Sequence, residues 1–228
     1  MSGIVGSYHN IRGSGIVAKL GTDGQVFTSA GAGVKQTFEA AAGGGSWNHI
    51  KTLTSDGSDA TLSFVDGADD VTFDNTYKIY RFHYQSIHPE TNATVFEFQA
   101  SDDGGSSYAV AVVSSFHRTH NNESGYNQGT GSDTVSAGGS TDYSHLMNNS
   151  GSDADQTCNG WLTIQDPSNT TFMKCWAHEG YSCAANDYWN GVYGGGYWIT
   201  TSAIDAIQFR FSSGEIQAGT ISLYGLTT

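Results

Sequence analysis

The sequence predicts an all-β protein: an antiparallel β-sandwich of jelly-roll-like form (residues 46–228) preceded by an extended N-terminal segment (residues 1–45). Three observations predict it. Apolar residues beyond Trp47 recur at every second position, clusters of Gly, Asp, Asn and Ser separate the runs, and no stretch carries a helical stripe between caps.

Residues 1–42 are rich in Gly and small residues, with Tyr8, Phe27 and Phe38 as their aromatics, too few apolar side chains for a core of their own. The run Ala40-Ala41-Ala42-Gly43-Gly44-Gly45 then predicts a flexible joint before the first strong strand signal.

Beyond the joint, Tyr80, Phe82 and Tyr84 alternate with Arg81, His83 and Gln85, the pattern of a strand with one buried and one wet face. The same alternation pairs Leu62 with Phe64, Phe96 with Phe98, and Leu162 with Ile164. It also aligns Tyr108 with Val110, Val112 and Phe116, Ile207 with Phe209 and Phe211, and Ile221 with Leu223. The spacing predicts eight to ten strands in two sheets. Two stretches break it: Asn121 to Gln156, polar and Gly-rich, and Tyr181 to Trp198, Gly-rich and aromatic, both read as surface excursions.

Charge narrows the partners. The chain carries nine Lys and Arg against 22 Asp and Glu, a net −13. Residues 1–42 hold Arg12, Lys19 and Lys35 against Asp23 and Glu39, so the remainder carries −14. Such a surface repels phosphate backbones and anionic lipid, and no window reaches the 18 to 20 apolar residues of a membrane span. Neither nucleic acid nor membrane insertion is expected, and the N-terminus shows no secretory pattern. Three cysteines, Cys158, Cys175 and Cys183, are too few for a disulfide framework and read as buried thiols.

Each constellation that could carry chemistry has a plainer use. Ser101-Asp102-Asp103-Gly104-Gly105-Ser106-Ser107-Tyr108 matches the Asp-box turn, in which Asp accepts backbone N–H groups and Gly supplies positive φ. Six Glu and sixteen Asp could supply a glycosidase pair, but most Asp residues sit in turns such as Asp56-Gly57 and Asp66-Gly67, and alternation places Glu97 outward. Cys158, Cys175, His178 and Cys183 offer zinc-type ligands, yet Cys175 and His178 on one strand would face opposite ways. Asp66, Asp69, Asp70 and Asp74 lack the calcium-loop order, and His117 and His120 read as a strand running into a loop. No nucleophile elbow or phosphate loop is present. No catalytic residue, metal or cofactor is expected.

The aromatic tract holds Tyr181, Tyr188, Trp189, Tyr193, Tyr197 and Trp198. Rings exposed among glycines suit stacking on glycans or protein, and the alternative use is packing on the sandwich or across subunits.

The segment Leu20-Gly21-Thr22-Asp23-Gly24-Gln25-Val26-Phe27-Thr28-Ser29-Ala30-Gly31-Ala32-Gly33, ending in Thr37-Phe38-Glu39-Ala40, resembles a linker motif of tail-fibre and other virion proteins of tailed bacteriophages. It has Phe27 where Leu is usual and Phe38 where Trp is usual. The body is similar to marine-phage structural proteins over Lys51–Ser55, Ala60–Phe64, Thr201–Phe209 and Gly219–Gly225. The resemblance implies a virion protein, commonly homotrimeric, held on the particle by its N-terminal segment through residues such as Leu20, Gly24, Gln25, Val26, Phe27 and Phe38. Its β domain would face outward towards a host glycan or protein. A head decoration or fibre-anchoring role is the alternative, and a carbohydrate-binding module or polysaccharide depolymerase stands further off.

Overall fold

The computed structural model describes residues 25–28, 37–40, 47–122, 129–133 and 139–227. The chain divides into two units, Met1–Ser46 and Trp47–Thr228. In the first, β1 (Gln25–Thr28) pairs antiparallel with β2 (Thr37–Ala40), Phe27 opposite Phe38. The two halves of the linker motif therefore make a backbone ladder, where the sequence led us to expect extended chain alone. Leu20, Gly24 and the Gly43–Gly45 joint lie outside the described residues.

The second unit is a sandwich of two antiparallel sheets. The strands are β3 (Trp47–Thr54), β4 (Thr61–Val65), β5 (Ile79–Pro89), β6 (Thr94–Ser101), β7 (Val112–Asn122), β8 (Gly129–Asp133), β9 (Ser144–Ser150), β10 (Cys158–Gln165), β11 (Cys175–Cys183), β12 (Tyr188–Trp198), β13 (Ala206–Phe211) and β14 (Ile216–Leu226). The large sheet runs β3-β14-β5-β10-β11-β12-β7-β8 and the small one β4-β13-β6-β9. The chain passes repeatedly between the two sheets, and among the described residues of this unit only β10 to β12 and β7 to β8 are sequence-consecutive neighbours.

The alternation drives this packing. Tyr80, Phe82 and Tyr84 of β5 and Leu162 and Ile164 of β10 point into the core, meeting Phe96 and Phe98 of β6 and Ile207, Phe209 and Phe211 of β13 from the other sheet. Their rings interlock edge to face, Phe64 on Phe82 at 5.1 Å and Phe98 on Trp176 at 4.9 Å between centroids. Such burial contributes roughly 2 kcal/mol per large apolar side chain, which is what holds the sheets together.

The described residues hold more strands than the eight to ten expected, because both supposed excursions contain sheet. Asn121 to Gln156 includes β8 and β9, and β9 enters the core through Leu146 and Met147. Tyr181 to Trp198 is mostly sheet: it spans the end of β11, a turn at 184–187 and all of β12, which is hydrogen-bonded to β11 on one side and β7 on the other. Two flanking ladders satisfy its backbone whatever its glycine content. The predicted strand at Tyr108 begins later, at Val112.

Glu97 is also corrected. It does point away from the core, but it is buried, flanked by Arg210 of β13 and His145 of β9. Its carboxylate accepts from Arg210 Nε at 2.9 Å, and the Arg210 guanidinium lies 3.6 Å from the Tyr143 ring centroid. Burial pushes the Glu97 carboxyl up while Arg210 pulls it down.

Candidate functional site

The outer face of the large sheet collects the rings left on the surface. Residues alternate along β12, so Trp189, Tyr193 and Tyr197 face outward while Asn190, Val192 and Trp198 face the core. Gly191 and Gly195 occupy the outward positions between the rings, giving one aromatic every fourth residue, or about 13 Å along the strand. Tyr181 joins them from β11, directly opposite Gly191. These four side chains are 38–57% exposed.

The spacing is enforced by contact. The Trp189 indole folds over Gly191, where an added Cβ would lie 2.4 Å from its ring. Tyr193 stacks on His117 of β7, its cross-strand partner, at 5.2 Å and 12°. Trp189 and Tyr193 thus lie along the sheet, and the outward β12 positions between the rings carry no side chain.

The six sequence candidates therefore separate. Tyr181, Trp189, Tyr193 and Tyr197 share the outer face. Trp198 is a core residue, fully buried against Phe98 and Trp176, and Tyr188 is half-buried beside His120 on the inner side. Sequence reasoning missed Phe172, Met173 and Ile199, exposed apolar side chains near the Tyr197 end, because Phe172-Met173 belongs to no alternating run and Ile199 directly follows the aromatic tract.

The remaining constellations resolve into structure. In the Asp-box-like turn, the Asp103 carboxylate accepts from the Ser107 N–H at 2.9 Å, from Ser107 Oγ at 2.8 Å and from Ser101 Oγ at 2.8 Å, and Gly104 and Gly105 take positive φ. These bonds, the Ser107 amide first, hold its carboxyl below the usual range. Asp66 accepts from the Phe73 N–H and Asp74 from the Thr76 N–H, both turn contacts. Cys175 points outward and His178 inward on β11, so the proposed thiol and imidazole ligands are not brought together. Cys158 is buried, its thiol pushed up to about 12 by desolvation, whereas Cys175 and Cys183 are exposed rather than buried as expected. His117 and His120 both lie within β7, on opposite faces.

No family model, curated protein or solved structure matches the chain. Among the described residues no three His, Cys, Asp or Glu side chains gather into a metal-binding group, and no helix is long and apolar enough to cross a membrane.

A second feature of the same face lies nearer its other edge. A depression of about 430 Å³ opens over β14, β5, β10 and β11, lined by Trp47, His83, Gln85, Asn159, Tyr181 and Tyr224 among others. Beside it the Arg81 guanidinium is clamped between the Trp47 and Trp161 rings, at 4.5 and 4.6 Å, and donates through Nε to Thr163 Oγ1.

Proposed function

We propose that this chain is a non-enzymatic structural protein of a tailed-phage virion, of the tail-fibre or receptor-binding type. Its N-terminal segment attaches to the particle and its sandwich contacts the host surface through the outer face of the large sheet. One observation carries the reading: Tyr181, Trp189, Tyr193 and Tyr197 are held in the open on a sheet face where glycines separate the rings of β12. Large rings kept out of a core that has ample room for Trp198 and Trp176 lose burial energy, and contact with a partner recovers it.

Several copies per particle, as a homotrimer, let weak contacts of this kind add up. The virion reading is supported by the linker resemblance at Leu20 to Ala40, whose Gln25–Thr28 and Thr37–Ala40 pair as strands. The non-enzymatic reading is supported by the use of several carboxylates: Asp66 and Asp103 hold turns, and Glu97 and Asp166 serve ion pairs.

The test is adsorption. Purified protein is expected to bind host cells and compete with phage for them, the Trp189→Ala and Tyr193→Ala variants to fold and lose that competition, and antibodies to label the tail of the particle. Labelling confined to the capsid lattice, or shortening of host polysaccharide by the purified protein, overturns it.

A further inference from the structure

The depression near Trp47 is built by a defect shared between three adjacent strands. In β5 the pair Gln85-Ser86 stands opposite the single residue Asn159 of β10, and Ser86-Ile87 opposite the single residue Gly219 of β14. Ser86 is the extra residue, with φ 54°, a conformation that costs a non-glycine residue of the order of 1 kcal/mol. Its amide leaves the ladder and donates to Asn159 Oδ1 at 2.8 Å. Gly219 takes φ 117°, and a Cβ there would lie 2.6 Å from the Ser86 carbonyl.

Bulges bend a strand and re-aim its side chains, and here outward residues of β5, β10 and β14 line one depression. Trp47, Tyr181 and Tyr224 supply ring surface around it. Gln85, Asn159, Thr220 and Ser222 supply hydrogen-bonding groups: Asn159 and Ser222 are oriented by bonds to Ser86, Thr157 and Thr52 and keep further donor and acceptor capacity, while the Gln85 amide makes no side-chain hydrogen bond among the described residues.

The lining carries no carboxylate. His83 is held towards its neutral form, first by desolvation and then by the Arg81 cation, and Arg81 itself is engaged by two indoles and Thr163. Rings that accept a C–H face, set among neutral donors and acceptors in a strongly acidic body, match a polyol and disfavour an acid.

We propose that this depression is a subsite for one uncharged sugar residue, with Tyr181 linking it to the ring strip on β12. This rests on the receptor-binding reading and names the ligand class for it. The occupant lays one face against the rings while its hydroxyls exchange hydrogen bonds with Gln85, Asn159 and Ser222.

Protein-observed NMR titration of the full chain tests this, with glucose, galactose, mannose, N-acetylglucosamine and glucuronate as probes. At least one neutral sugar is expected to bind with Kd on the order of 1–10 mM and to shift the amides of Gln85, Ser86, Asn159, Gly160 and Thr220. Tyr181→Ala and Gln85→Ala, both at exposed positions, are expected to weaken binding about tenfold, the loss of roughly one stacking or polar contact. Phe172→Ala is expected to leave it unchanged.

Shifts from glucuronate alone, shifts confined to β12, or no shifts with the wild-type protein overturn the proposal. If host adsorption depends on Trp189 and Tyr193 while no sugar enters the depression, the subsite falls and the receptor-binding reading stands. If a neutral sugar binds as mapped but adsorption is independent of the protein, the subsite stands and that reading falls.

Discussion

His178 stacks on Phe116 in the core, centroids 6.0 Å apart, and neither of its ring nitrogens has a hydrogen-bond partner among the described residues. Desolvation lowers its pKa to about 4. The unfolded chain protonates this imidazole near its ordinary value of about 6.5, so below that pH the unfolded state takes up a proton the native state refuses. Stability is therefore full above pH 6.5 and falls as pH drops towards 4, by up to about 3 kcal/mol from this group. Denaturant titrations across this range are expected to show the slope in the wild type and to lose most of it in His178→Leu, which removes two buried unpaired nitrogens.

Trp198 and Tyr193 sit on the same strand with opposite duties. Trp198→Ala is expected to cost about 3–5 kcal/mol, the range for emptying a fully buried indole site, and to lower the melting temperature sharply. Tyr193→Ala is expected to change stability by less than about 1 kcal/mol, since the ring is largely exposed and loses only its stack on His117. Calorimetry on the pair distinguishes the faces of β12.

Core-facing glycines in β12 have a steric reason. A Cβ on Gly194 would lie 2.4 Å from the Ser115 carbonyl oxygen and 2.5 Å from His178 Nε2, whereas one on Gly195, facing outward, would meet its nearest atom at 3.0 Å. Gly194→Ala is expected to destabilise by about 1–3 kcal/mol and Gly195→Ala by clearly less, measured by urea unfolding.

The Glu97 ion pair is expected to be asymmetric. Removing Arg210 leaves a buried carboxylate with His145, at 3.9 Å, as its remaining ion-pair partner, so Arg210→Ala is expected to cost about 2 kcal/mol, reduced from a fully buried case because the guanidinium is partly exposed. Glu97→Gln keeps a hydrogen-bonding partner and removes the charge, and is expected to cost less than half as much. Desolvation raises the Glu97 pKa. Its titration therefore favours the folded state below the unfolded value, and this contribution is lost as pH rises through the folded one.

Much of this architecture is legible in the chain. Tyr80, Phe82 and Tyr84 announce a half-buried strand because their neighbours on the other face are polar, and that pattern needs no knowledge of partners. The hidden parts depend on what lies alongside. β12 reads as loop because three of its residues are consecutive glycines, and only the ladders from β11 and β7 make it a central strand. Glu97 is placed on the correct face by alternation, but its cover comes from Tyr143 and Arg210, distant in sequence. The candidate rings were visible as a composition. Their division into four outward, one inward and one half-buried follows from register, which no local pattern at Tyr188 to Trp198 reveals.

Cys175 and Cys183 stand at the two ends of β11, on its outward face, opposite Tyr197 and Trp189. Eight residue steps of strand separate them, about 27 Å. The protein thus carries two native attachment points for fluorophores or spin labels that bracket the aromatic strip, while the third thiol is shielded in the core. A bulky probe on either one would report directly on whatever settles between them.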